Sequence, residues 1–211
     1  YDLAVATLRA PFASPITGVD TSANDGDGNA ERHIGRMLRE IGGLPADRVL
    51  ATKADRDMKT GDFSGEQMKR SIAESLERLG LDRLQFAYIH DPEHTTFEHI
   101  MARGGALDVL QGLQREGVIG DIGISGGPID MLVRYVETGA FAAVETHNRY
   151  TLLNRSALPL LDVAASKGVA VVNAAPYGSG MLAKGPDVSA RYAYQDAPAR
   201  LVDRARRLDA V

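Results

Sequence analysis

Short apolar runs of strand length alternate with stretches of helical periodicity along almost the whole of this chain, and that alternation narrows its fold more than any other feature. A first helix has Val5, Leu8 and Phe12 on one face, is closed by Pro11 and Pro15, and is followed by the strand-like Ile16-Thr17-Gly18-Val19-Asp20. Asn29 is placed to cap a helix carrying Ile34, Met37, Leu38 and Ile41, which ends at Gly42-Gly43. The strand Arg48 to Lys53 comes next. Ser64 with Gln67 reads as a capping box, opening a helix striped by Met68, Ile72, Leu76 and Leu79 up to Gly80.

Leu84 to His90 is the following strand, then a helix with Leu107, Leu110 and Leu113 ending at Gly117, then the strand Gly120 to Ser125. A helix from Pro128 to Gly139 leads to the strand Ala142 to Thr146. A helix from about Ser156, expected to turn Leu158, Leu161 and Ala165 inward, hands over to Val169-Ala170-Val171-Val172, a run suited to a strand buried on both faces. The segment from Ala197 to Val211 reads as helical, and Asp55-Arg56-Asp57-Met58-Lys59 as a solvated loop. Arg204 to Arg207 reads as the wet face of the last helix.

Such alternation requires parallel strands joined by right-handed crossovers, either as an open doubly wound sheet or as a barrel. No glycine-rich phosphate loop of the open-sheet type occurs, whereas polar residues end strand after strand: Asp20, Lys53, His90, Ser125, Glu145 and Asn173. Side chains converging from many strand ends are how a barrel builds a site, so the fold expected is α/β, a (β/α)8 barrel with about six of its strands in this chain.

The 211 residues fit one domain, expected to span 1–211 and to be incomplete at both ends. With a 44% apolar and 25% charged composition and no long apolar stretch, the chain reads as globular and not membrane-spanning. A net charge of −4 gives no footprint for nucleic acid. The absence of cysteine excludes disulfides and thiolate chemistry, and with no signal-like start the expectation is a cytoplasmic protein.

Asp20, Lys53 and His90 stand at corresponding points of three successive strands, a coincidence that packing does not require. An Asp–Lys pair and an imidazole able to donate to, or exchange a proton with, a substrate oxygen follow from that placement. Two metal readings are weak. Asp25 to Glu31 lacks the glycine and glutamate of a calcium loop, and Pro92 breaks the helix that would align His90 with His94, so no metal is expected.

Val19-Asp20-Thr21-Ser22, Gly26-Asp27-Gly28-Asn29-Ala30-Glu31, Ile34-Gly35, Ala51-Thr52-Lys53, Tyr88-Ile89-His90-Asp91-Pro92, Gly123-Ile124-Ser125 and Pro176-Tyr177-Gly178-Ser179-Gly180 together resemble the aldo-keto reductases, in the right order across almost the whole chain. Phe12 to Pro15 and Asn148 to Arg155 look most like the branch that oxidises aldoses such as fucose, or pyridoxal. The resemblance implies an oxidoreductase dependent on NADP or NAD, acting on a small carbonyl or alcohol substrate through an Asp, Tyr, Lys and His tetrad. Asp20, Lys53 and His90 match it; the tyrosine position, in D-T-x-x-x-Y-G, is Asp25.

A carboxylic acid is ionised near neutral pH where a phenol, with a reference pKa of about 10, keeps its proton. A carboxylate there cannot protonate a developing alkoxide, so weak or absent carbonyl reduction is expected, with alcohol oxidation using Asp25 as base still open. For the cofactor, the resemblance implies Ser125 and Glu145, the latter in place of a glutamine, at the nicotinamide, and Gly178, Ser179 and Gly180 along the pyrophosphate. Gly126 stands where an asparagine is usual and Ala174 where an aromatic ring is usual. The other reading is a non-catalytic relative that binds a nucleotide or a partner without turnover.

Overall fold

A computed structural model describes residues 2–210, in two compact units, Tyr1–Ser125 and Gly126–Val211. In the first, helix α1 (Asp2–Phe12) precedes strand β1 (Gly18–Asp20), helix α2 (Asn29–Ile41) and strand β2 (Val49–Ala54). Helix α3 (Gly65–Leu79), strand β3 (Leu84–His90), helices α4 (Phe97–Met101) and α5 (Ala106–Arg115), and strand β4 (Ile119–Gly126) complete it. β1, β2, β3 and β4 pair in parallel in that order.

The expected apolar stripes lie inward for the most part, except that Ile41 at the end of α2 is 39% exposed. Ile34, Met37 and Leu38 of α2 and Met68, Ile72 and Leu79 of α3 are buried, as are Leu50 of β2 and Leu84, Ala87 and Ile89 of β3. Gly35 lets α2 approach the end of α3: a Cβ there would lie 2.2 Å from the Arg78 carbonyl oxygen. A buried ion pair ties the same elements together, with Glu31 accepting from Thr52 Oγ1 at 2.5 Å and from Arg78 Nε at 2.6 Å.

Two capping expectations are corrected. Asn29 is the first residue of α2, not its cap; Gly28 holds the cap position in the left-handed region (φ 76°), and the Asn29 side chain turns to Arg32 instead. Ser64 does accept from the Gln67 N–H at 3.2 Å, but the Gln67 amide donates to the Asp55 carbonyl at 3.0 Å and does not reach back, so the box is half formed. Ile16 and Thr17 precede β1 and are not part of it. Helix α4 and a 3-10 turn, Pro92–His94, add to the expected pattern.

The second unit holds helix α6 (Ile129–Glu137), strand β5 (Ala143–His147), helix α7 (Leu158–Lys167) and strand β6 (Ala170–Ala174). Helix α8 (Met181–Lys184), a hairpin of β7 (Arg191–Tyr192) and β8 (Gln195–Asp196), and helix α9 (Ala199–Asp209) follow. β5 and β6 pair in parallel. The hairpin, not foreseen, turns through Ala193 and Tyr194, both at positive φ. Val211, the expected end of the last helix, lies outside the described residues.

Two expectations fail here. In α7 the inward positions are Leu160 and Ala164, while Leu158 is 43% exposed and Ala165 is exposed. β6 is not buried on both faces: Val171 and Val172 are 36% and 37% exposed. A strand is buried on both faces only where layers cover both, and in this unit β6 pairs with β5 alone among the described residues. A small cluster of Leu153, Met181, Tyr192 and Ala205 forms a separate core beneath the hairpin. Arg204 is not wholly a wet residue, since its guanidinium donates to the Leu153 carbonyl at 2.7 Å.

Strand order follows chain order in each unit and every connection between consecutive parallel strands passes through a helix, the α/β pattern of a (β/α)8 barrel with six of its parallel strands in this chain. Among the described residues no helix is long and apolar enough to cross a membrane.

Candidate active site

Strand register sets the site in the first unit. Asp20 lies opposite Ala51, Lys53 opposite Tyr88, and His90 opposite Ser125, so the polar residues occupy the carboxyl ends of adjacent parallel strands. Lys53 is 5% exposed, and its ammonium donates to Asp20 Oδ2 and, at 3.0 Å, to the Thr21 carbonyl. It also stands 5.7 Å over the Tyr88 ring. A lysine is buried at such a strand end only with its charge answered, and Asp20 answers it.

Burial pushes the Asp20 carboxyl above the usual carboxylate range; the charge and hydrogen bond of Lys53 pull it back, and the nearby Asp25 charge adds to the rise. Asp25 sits in the loop between β1 and α2, its N–H donating to the Ser22 carbonyl at 3.3 Å and its carbonyl accepting from Ala30 N–H at 3.2 Å. Its side chain is exposed at the rim of an apolar cleft of about 630 Å³, shared with Asp20, Thr21, His33 and the α1 residues Leu3 and Leu8. Among the described residues the Asp25 carboxylate makes no hydrogen bond or ion pair. Position 25 therefore neighbours the Asp20–Lys53 pair without joining it.

His90 is engaged by a residue that sequence reasoning missed. Its Nδ1 lies 2.6 Å from Asp55 Oδ1, and the other Asp55 oxygen accepts the Asn24 N–H at 3.1 Å. Asp55 is 2% exposed, which corrects its reading as part of a solvated loop; only Met58 and Lys59 of that segment are exposed. Its backbone is held as well, the N–H by Ser71 Oγ at 3.0 Å and the carbonyl by Gln67. Asp55 lies one residue beyond β2, where the strand's period of two, if continued, puts it on the side of Lys53.

Burial is the largest single influence on the His90 imidazole and pulls its pKa down. The Asp55 hydrogen bond and charge, with the charge of Asp91, outweigh it, and the net shift is upward from 6.5 despite Lys53. His90 Nε2 stands 3.6 Å from Asp91 Oδ1, and Arg56 lies 4.0 Å from the far oxygen of Asp91. Asp91 itself holds a left-handed conformation (φ 46°), fixed by its N–H donating to the Ser125 carbonyl at 2.8 Å.

The remaining expected positions divide between the units. Ser125 is buried in β4 beside His90, while Glu145, buried in β5, and Gly178, Ser179 and Gly180 belong to the second unit. Gly178, Ser179 and Gly180 are consecutive left-handed residues (φ 55°, 57° and 89°) ahead of α8. A Cβ at Gly178 would lie 2.8 Å from the Tyr192 ring, and Ser179 Oγ accepts the Ala193 N–H at 3.1 Å. With Asn148, Ala175, Arg191 and Tyr194, Ser179 lines a cleft of about 350 Å³.

The model of the aldo/keto reductase family matches residues 1–210. Similar proteins include an L-galactose dehydrogenase of Arabidopsis thaliana, 35% identical over 86% of this chain and 57% of its own length. A D-threo-aldose 1-dehydrogenase of Pseudomonas sp is 32% identical over 100% of this chain and 70% of its own. A pyridoxal 4-dehydrogenase of Microbacterium luteolum is 27% identical over 96% of this chain and 69% of its own. The chain thus spans between 57% and 70% of the length of these curated relatives. In structure it resembles an aldo-keto reductase of Bacillus halodurans in its holo form, with TM-score 0.73 and 23% identity over 85% of this chain and 59% of that one.

Proposed function

The chain belongs to the aldo/keto reductase family, and on that premise we propose that it serves a nicotinamide-dependent oxidoreductase acting on a sugar-like or pyridoxal-like substrate, in the direction of alcohol oxidation. The observation that carries this reading is the buried Lys53 ammonium, held by Asp20 at a strand end with His90 at the end of the next strand. A preorganised cation of this kind is aimed at charge developing on a substrate oxygen, where a site with little water makes it effective.

The second unit supports a nicotinamide nucleotide by the conformation of its loop. Three successive left-handed residues, Gly178, Ser179 and Gly180, form a compact turn where the family resemblance puts the pyrophosphate, with the Gly178 N–H already donating to the Ala175 carbonyl at 3.1 Å. Gly178 leaves no room for a side chain on the Tyr192 side. In the same unit Glu145, buried in β5, would hold the nicotinamide end. When bound, such a nucleotide supplies the hydride acceptor or donor; NADP and NAD are both compatible with these residues.

The protein's own groups have separable tasks. Asp20 keeps Lys53 charged and in place, Lys53 stabilises an oxyanion, and His90 orients the substrate oxygen. Asp25 puts a carboxyl group where the family pattern has a phenol as proton donor, which disfavours reduction of a carbonyl. Equilibrium binding of NADPH and NADP, followed by an activity screen on aldoses and pyridoxal, tests the reading. Nucleotide binding without turnover in either direction favours a non-catalytic relative. Asp25→Tyr is expected to raise aldehyde reduction by roughly a hundredfold, the order of a positioned general acid. No gain would count against the placement of the tetrad.

A further inference from the structure

We infer that Asp55 is a positioning residue that turns His90 into the proton-exchanging group of the reaction, in place of the residue at position 25. The inference rests on the oxidoreductase reading above but concerns a different group, which none of the family motifs includes. A carboxylate only accepts hydrogen bonds, so the 2.6 Å contact places the imidazole proton on Nδ1. The neutral ring then carries its lone pair on Nε2, which makes no hydrogen bond among the described residues. Asp55 is locked in turn: one oxygen holds His90, the other holds the Asn24 N–H, and both backbone polar groups are engaged.

Asn24 directly precedes position 25, so the same carboxylate fixes the imidazole and anchors the loop carrying Asp25. Three facts favour His90 over Asp25 as base. Asp25 is exposed at the rim of a cleft and its carboxylate makes no hydrogen bond or ion pair among the described residues, whereas His90 ends the strand next to Lys53. An imidazole matches operating pH better than a carboxylate does, and proton transfer is most efficient near that match. A third group, Asp55, also orients the base, the arrangement in which a histidine best accepts and returns a proton.

The step balances as follows. Oxidation breaks the carbinol C–H bond, whose electron pair leaves as hydride with the oxidised nicotinamide nucleotide as acceptor. The O–H bond breaks with its proton passing to His90 Nε2, the carbon–oxygen double bond forms, and imidazolium is left facing Asp55. The charged groups around the ring are Asp55 from the end of β2, Asp91 beyond β3, and Lys53 with its partner Asp20; Arg56 lies behind Asp91.

Two readouts test this, one of them independent of turnover. Nitrogen-15 spectra of the unaltered protein, with the His90 signals identified by their loss in His90→Gln, are expected to show the Nδ1–H tautomer and a titration above the reference value of about 6.5. In Asp55→Asn that titration is expected to fall by about one unit, the order lost with one hydrogen-bonded charge. The pH profile of kcat/KM for aldose oxidation is expected to rise through the His90 titration. Its limb should move down by about one unit in Asp55→Asn while the plateau drops roughly tenfold to a hundredfold.

Asp55→Glu, which keeps the charge, should retain the high limb and serves if the asparagine variant fails to fold. A limb in the carboxylate range, a limb that Asp55→Asn leaves in place, or an Nε2–H tautomer would each overturn the inference. Absence of turnover in the unaltered protein with the His90 tautomer and titration as expected marks failure of the oxidoreductase reading. Normal turnover with an unmoved limb marks failure of this one.

Discussion

The two compact units treat their polar groups differently. In the first, buried charge is answered inside the unit: Lys53 by Asp20, His90 by Asp55, and Glu31 by Thr52 and Arg78. Each unit also leaves buried polar atoms without a hydrogen-bond partner among the described residues, Thr21 Oγ1, Ser22 Oγ and Arg48 Nε in the first and Thr146 Oγ1, Asn148 Oδ1 and Asn173 Oδ1 in the second, and in the second β6 leaves Val171 and Val172 exposed. A strand with paired neighbours on both sides, such as β2 or β3, provides fixed positions at its end from which side chains can be aimed. A strand paired on one side provides fewer. Lys53 and His90 stand at the ends of two strands paired on both sides, and Asp20 ends β1, which pairs with β2.

The largest expected effect tests whether the internal pairing of the first unit holds it together. Glu31→Gln should cost about 3 kcal/mol in denaturant unfolding, because a fully buried partner of Arg78 loses its charge where water cannot replace it. A cost below about 1 kcal/mol would mean that the pair contributes little and that the contrast between the units is one of appearance.

Next comes a pair of glycine substitutions. Gly35→Ala drives a Cβ into backbone at 2.2 Å from the Arg78 oxygen, and about 3 kcal/mol is expected. Gly178→Ala meets a tyrosine ring that can shift, and adds the strain of a left-handed alanine, for about 1 kcal/mol. Equal costs would erase the distinction between a backbone-locked unit and a side-chain-packed one.

A smaller effect depends on pH. Because the folded protein raises the His90 pKa, it favours the protonated imidazole. That stabilisation is present in full below the unfolded value of about 6.5 and is lost as pH rises through the folded value, at about 1.4 kcal/mol per unit of elevation. Thermal melts should show Tm falling across this window, with the slope reduced in Asp55→Asn. The smallest effect belongs to the second unit: Val172→Thr on the open strand should change stability by less than about 0.5 kcal/mol.

How much of this was legible beforehand depends on the range over which each feature is decided. The strand Leu84 to His90 and the helix ending at Gly80 coincide with β3 and α3 because periodicity and a terminating glycine act over a few residues. Asp20, Lys53 and His90 were legible because strand ends repeat in order. Asp55 was not, because its burial comes from His90, 35 residues away, and from Gln67 and Ser71 on α3. The exposure of Val171 and Val172 was likewise hidden, since an apolar run records what a strand can bury and not what lies against it.

The sequence by itself determined the alternating α/β architecture, the order of its elements, and the placement of Asp20, Lys53 and His90 at successive strand ends, all written in local spacing. Only the tertiary structure decided that Asp55 faces His90, that Asp25 shares an apolar cleft with Asp20, and that β6 is open. Those outcomes depend on register between strands and on which layers meet, and no stretch of chain carries that information alone.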